Sequence, residues 1–119
     1  MVCMTDVQKR VNGSSTRDRT FERDGFRCVY CGLVYPAEAL TLDHVEPRMR
    51  GGDRSAGNLV TCCATCNAQK AGEPAWSWLA RNPDVRVNFL KYAIHVWPRL
   101  LRAIEKAAEV NNYGRRPKL

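Results

Sequence analysis

The sequence predicts an α+β chain with short strands in its first half and helices in its second. Three observations carry this reading. Two Cys-x-x-Cys pairs, Cys28/Cys31 and Cys63/Cys66, bracket a 31-residue insert. Residues 40–47 alternate in character as a half-buried strand does. From Pro74 onward, apolar residues recur at helical steps of three and four.

Taken in chain order, residues 1–16 are polar and close on Asn12-Gly13-Ser14-Ser15, a loop signal, so a flexible segment is expected there. Ser15 or Thr16 can cap a short helix from Arg17 to Arg23 that ends at Asp24-Gly25. Phe26 to Gly32 reads as two short β pieces around the first Cys-x-x-Cys turn, with Gly32 able to take a positive φ. Arg48 to Asn58 is a basic, Gly-rich loop. Leu59-Val60-Thr61 leads to the second cysteine pair, and Cys63 to Ala71 can form a helix that Gly72 and Pro74 break. Further on, Leu90, Ile94, Trp97, Leu101, Ile104 and Ala108 mark one helical face, which Pro98 either kinks or restarts. Trp76, Trp78 and Trp97 are expected to pack these helices onto the core, and His95 to be an exposed helix residue. The expected organisation is a flexible segment 1–16, a core 17–73, C-terminal helices 74–112 packing on it, and a flexible basic tail 113–119.

A chain of 119 residues buries too little surface to be comfortably stable, and small domains often add disulfides or a metal. Six cysteines are available. The N-terminus has no apolar signal-peptide core, and no apolar run approaches the roughly 20 residues of a membrane span. The expected compartment is therefore the cytoplasm, away from membranes, where thiols stay reduced and clustered cysteines bind metal. Cys28, Cys31, Cys63 and Cys66 can place four thiolates around one Zn²⁺ at about 2.3 Å, a closed and hence structural site. Cys62 would give a Cys-x-x-x-Cys spacing, so Cys63 is assigned as ligand and Cys62 as a small buried hydrophobe. Cys3 is given no role. Lys and Arg number 19 against 12 Asp and Glu, and this excess suits a phosphate-bearing partner.

Between and just after the cysteine pairs lie the residues with chemistry. Asp43 is a hard oxygen ligand and Asn67 offers an amide oxygen, a combination that suits Mg²⁺ or Mn²⁺. His44 has a pKa near neutrality and can take a proton from water. On a regular strand Asp43 and His44 point to opposite faces, so a bend or bulge is expected to bring them together. Asn58 has the character of a turn residue. Arg48, Arg50, Arg54 and Lys70 are candidates to hold flanking phosphates.

The pattern Arg23-Asp24-Gly25-Phe26, Cys28-x-x-Cys31-Gly32, Asp43-His44-Val45, Gly51-Gly52, Asn58-Leu59, Cys63-x-x-Cys66-Asn67-x-x-Lys70 resembles the HNH endonuclease family of phage and bacterial genomes, over about residues 17–72. The resemblance implies a ββα-metal fold, in which two antiparallel strands and a helix surround a catalytic metal. It implies His44 as general base, Asp43 and Asn67 as metal holders, and Asn58 as the residue that fixes the loop and orients His44. The third position of the family signature is Asn67 rather than His, so the site reads H-N-N. The implied activity is metal-dependent DNA hydrolysis leaving 5′-phosphate and 3′-hydroxyl ends, by a monomer or weak homodimer that nicks. Two rival readings are a zinc-ribbon module that binds nucleic acid without cutting it, and an accessory subunit of a larger nuclease.

Overall fold

Ser15 starts the first helix as its position predicts, its hydroxyl accepting a hydrogen bond from the Asp18 amide at 3.1 Å. The computed structural model describes residues 15–115, with side chains through Asn111. Most of the expected flexible segment 1–16, Cys3 included, lies outside the described residues, but Ser15 and Thr16 belong to the helix start.

Helix α1 runs Thr16–Arg23. The knuckle that follows is closed by an isolated antiparallel bridge between Arg27 and Val34. Inside it Cys28 N donates to Leu33 O and Gly32 N to Cys28 O, both at 2.9 Å, and Gly32 takes the expected positive φ of 80°. Strand β1 spans Leu40–His44 and β2 spans Leu59–Cys63. They pair antiparallel in unbroken register from Leu40↔Cys63 to His44↔Leu59. Helix α2, Ala64–Lys70, follows at once, with Cys63 as its cap. This is the ββα order.

The free edge of β2 is satisfied by side chains as well as backbone. Arg23 donates to Leu59 O at 2.7 Å, the Asp24 carboxylate accepts from Thr61 N at 3.0 Å, and Val29 N donates to Thr61 O at 3.1 Å. Arg23 and Asp24 also pair with each other at 2.9 Å. The Arg-Asp dipeptide thus stands in for a third strand, leaving few unpaired backbone groups on a buried edge.

Three helices complete the chain: α3 at Ala75–Ala80, α4 at Pro83–Tyr92 and α5 at Pro98–Arg115. Pro98 opens a new helix, where its missing amide costs nothing. The predicted single face from Leu90 to Ala108 is therefore wrong in its first half. Leu90 is 39% and Ile94 69% exposed, while Phe89, Ala93, Val96, Leu100, Ile104 and Ala108 are buried. The chain turns at residues 93–97, so the helical period restarts there and the buried face moves by one residue. The tail expected from 113 is also shortened, because the α5 backbone continues to Arg115; residues 116–119 lie outside the described residues.

These helices reach the ββα unit at defined points. Ala75 N donates to Val45 O at 3.0 Å, and Trp97 N to Gly57 O at 3.0 Å. Trp97 lies so close to Gly57 that a Cβ there would come within 2.2 Å of its ring. Trp78 is buried, Trp76 and Trp97 are half-buried against the core, and His95 is exposed. No helix among the described residues is long and apolar enough to cross a membrane.

The restarted period makes a stability prediction. Ile104→Ala removes a fully buried side chain and should cost about 2–5 kcal/mol in urea unfolding. Ile94→Ala should stay within about 0.5 kcal/mol of the parent. Equal losses at the two positions would contradict the helix break.

Candidate active site

The four cysteines meet as their spacing requires. The sulfurs of Cys28, Cys31, Cys63 and Cys66 all lie within 4.8 Å of one another, with Cys31 and Cys63 4.0 Å apart. A tetrahedron with 2.3 Å arms has edges of about 3.8 Å, so the cluster fits one metal ion with little adjustment. Cys31 N points at the Cys28 sulfur at 3.5 Å and Cys66 N at the Cys63 sulfur at 3.4 Å, so each knuckle turns a backbone amide toward its first cysteine. Cys62 is buried and outside the cluster, its thiol donating to Cys63 O at 3.3 Å. The Cys28 sulfur beside it, together with burial, holds that thiol far above its ordinary pKa.

One residue of the first knuckle reaches toward the other chemistry. Tyr30 is fully buried, and its hydroxyl donates to Asp43 Oδ2 at 2.6 Å. Burial first, and then the Asp43 charge, holds the phenol well above its usual pKa. Asp43 is itself only 6% exposed, on β1. Lys70, from the last turn of α2, sets its ammonium 3.2 Å from the Asp43 carboxylate and donates to His44 O, also at 3.2 Å. Burial pushes the Asp43 carboxyl up from its ordinary value, while Lys70 and the Tyr30 hydroxyl pull it back.

Lys70 is therefore not placed as a surface phosphate clamp. Its side chain is 1% exposed and is committed to Asp43. A lysine amine buried without a carboxylate would carry a large desolvation penalty, and the pairing offsets it.

His44 is the last residue of β1 and is half-buried. Its Nε2 is buried without a hydrogen-bond partner among the described residues. Burial lowers its pKa, Asp43 opposes that, and Arg48, Arg54 and Lys70 add to it. At neutral pH the ring is thus mainly uncharged, with a nitrogen able to accept a proton. Asp43 and His44 line one cavity of about 270 Å³ together with Arg48, Met49 and Lys70. No bulge brings them together, since the register is unbroken. The strand ends at His44, and the cavity wraps round that end.

Asn58 is fully buried and holds the loop between the strands. Its Oδ1 accepts from Glu46 N at 2.8 Å, and its Nδ2 donates to Glu46 O at 3.0 Å and Asp53 O at 2.9 Å. All three contacts are to backbone, so Asn58 bears on His44 through the chain at residues 45–46. The second glycine of Gly51-Gly52 is required by the same fold, because a Cβ on Gly52 would sit 1.7 Å from Glu46 O.

The basic residues divide. Arg48, Arg50 and Arg54 are exposed. Arg48 lines the His44 cavity, and Arg54 lines a separate groove with Arg19 and Arg23. Asn67 is half-buried on α2, three residues before Lys70, and is not among the residues lining the His44 cavity. The structure thus joins Asp43, His44, Arg48 and Lys70 in one site and leaves Asn67 beside it. A larger groove of about 510 Å³, between α3 and α5, contains none of these groups. Tyr30 was missed from sequence. Its place between the two cysteines is visible there, but nothing in the spacing says that its ring turns inward.

Comparison with known proteins agrees with this arrangement. The family model for HNH endonucleases matches residues 28–73, from the first knuckle cysteine to just past Lys70. The likeness to the HNH endonuclease family is thus carried by residues 28–73. Over 67 residues, 56% of this chain, the sequence is 34% identical to the CRISPR-associated endonuclease Cas9 of Actinomyces naeslundii. The chain spans about 6% of the length of that relative. The crystal structure of the type II-C Cas9 enzyme from the same organism superposes with a TM-score of 0.60 at 24% identity, over 97% of this chain and 13% of that one. That likeness shows a shared fold extending past the HNH segment into the C-terminal helices.

The electrostatics of His44 can be read directly. Without added divalent ions, its ring should titrate below the ordinary value of 6.5 when followed by NMR. Asp43→Asn should lower the midpoint further, because the carboxylate charge favours imidazolium. A midpoint above 6.5, or one raised by Asp43→Asn, would contradict the site as described.

Proposed function

We propose that this chain is a metal-dependent DNA endonuclease that nicks, with His44 as general base and a structural zinc at Cys28, Cys31, Cys63 and Cys66. The observation that carries the proposal is a histidine that lines one cavity with Asp43 and Arg48 and whose buried Nε2 has no hydrogen-bond partner among the described residues. A plain zinc-ribbon binding module has no use for that pair.

The donor chemistry fits a hard divalent cation. Asp43 would offer a carboxylate oxygen at the cavity wall alongside its bonds to Tyr30 and Lys70, and Asn67, on the adjoining helix outside the cavity lining, would turn its amide oxygen toward it. Mg²⁺ or Mn²⁺ held there would offset negative charge on the phosphate and on the leaving oxygen. The protein's own groups do the rest. The His44 imidazole takes a proton from a water as its oxygen attacks phosphorus. The P–O3′ bond breaks, and O3′ leaves with the bonding electrons and gains a proton from solvent. Products carry 5′-phosphate and 3′-hydroxyl ends. Arg48, with Arg50 and Arg54 nearby in the chain, meets the flanking phosphates, and Asn58 keeps the loop bearing Arg48 in place.

A second reading has one observation in its favour: the chain matches only a small part of a much longer nuclease. In that reading it cuts as part of a larger assembly that supplies the target address. Cleavage by the isolated chain separates the two readings.

With supercoiled plasmid and Mg²⁺ or Mn²⁺, open circle should accumulate before linear DNA, and EDTA should stop the reaction. His44→Ala should lower the rate by about 10²–10⁴-fold while leaving DNA affinity near that of the parent. Wild-type cleavage by His44→Ala would remove the proposal. Linear product from the first time point would replace the nicking monomer with a symmetric dimer.

A further inference from the structure

Tyr30 is the side chain that connects the cysteine cluster to the proposed catalytic carboxylate. It lies between Cys28 and Cys31, so the knuckle fixes its backbone on both sides. Its carbonyl accepts from Asn88 Nδ2 on α4 at 2.8 Å. Its ring stacks on Phe89, with centroids 5.5 Å apart and planes 23° apart, and meets Trp78 of α3 edge-on at 5.1 Å. The phenol is thus clamped from the cluster, from α3 and from α4, and its hydroxyl lies 2.6 Å from Asp43 Oδ2.

A carboxylate turns easily about its last torsion. The Lys70 ammonium is a compact charge with rotatable donors and does not by itself fix the carboxylate plane. A short hydrogen bond from a ring with no freedom of its own does fix it. We infer that Tyr30 is a positioning residue: its hydroxyl sets the orientation in which Asp43 meets a divalent cation. This rests on the reading of Asp43 as a metal-holding residue. It also gives the C-terminal helices a part in the site, because Phe89, Trp78 and Asn88 hold the far side of Tyr30.

Loss of a hydrogen-bonding partner behind a metal ligand commonly costs about 10–100-fold in metal affinity or activity. The test compares wild type, Tyr30→Phe, Asn88→Ala and Asp43→Ala, all zinc-loaded, by Mn²⁺ titration with electron paramagnetic resonance. Zinc content, thermal midpoint and plasmid nicking are measured in parallel. Tyr30→Phe keeps the ring and deletes only the hydroxyl. Its Mn²⁺ affinity should fall by about 10–100-fold, with nicking largely rescued by raised Mn²⁺ and with zinc content unchanged. Asn88→Ala should weaken Mn²⁺ binding in the same direction by a smaller factor. If Tyr30→Phe loses zinc or its cooperative fold, Asn88→Ala decides, and wild-type Mn²⁺ affinity in that variant overturns the inference. Wild-type affinity and activation in a folded Tyr30→Phe overturns it alone. Absence of any Asp43-dependent Mn²⁺ site in the wild type overturns both the inference and the metal reading beneath it.

Discussion

Four cysteine sulfurs within 4.8 Å of one another join the knuckle after α1 to the junction of β2 and α2. Much else in the chain is placed by that junction. Cys63 is at once the last residue of β2, the cap of α2 and a member of the cluster. Fixing it fixes the strand that holds β1 in register, and the helix that sends Lys70 under the sheet. A two-stranded sheet this short depends on packing against helices and gains from any further constraint. A metal at the cluster would supply such a constraint, since binding energy of deprotonated thiolates becomes folding energy.

The second constraint is electrostatic. Asp43 and Lys70 are both buried, and taking two charges out of water costs several kcal/mol for each ion before their attraction is counted. Such a pair is poor as a source of stability and serves better as a source of geometry. Here it holds a carboxylate at a cavity wall, with the His44 imidazole beside it and the exposed Arg48 at the same cavity. Burial lowers the His44 pKa, Asp43 opposes that, and the positive charge of Arg48, Arg54 and Lys70 adds to the lowering, which favours the proton-accepting form. The surface arginines therefore serve twice in the proposed reaction, meeting phosphates and keeping the base unprotonated.

Much of this was legible in the sequence because the signals were local. The Ser15 cap, the Gly32 turn and the spacing within each cysteine pair depend on residues a few positions apart, while the ββα-metal fold was implied by the resemblance to the HNH family. The misreadings involve distance. Lys70 looked like one more basic residue because nothing local says that a lysine three residues after Asn67 turns inward to a carboxylate 27 positions earlier. The helical face from Leu90 to Ala108 has the right spacing on paper, but Pro98 divides it into two helices with different rotations. Asp43 and His44 share a cavity through the end of a strand, a shape that alternation cannot express. Tyr30 was hidden for the same reason as Lys70: its partners, Asp43, Trp78 and Phe89, come from three other elements.

The dependence of the site on the cysteine cluster is tested most directly by urea unfolding of the zinc-loaded chain before and after the metal is stripped, followed by aromatic fluorescence. The buried Tyr30–Trp78 contact reports on the junction itself. The account predicts a single cooperative transition with metal bound, and loss of that transition once the metal is gone, restored by adding back about one equivalent of zinc. A stripped chain that unfolds cooperatively at the same urea midpoint would contradict it.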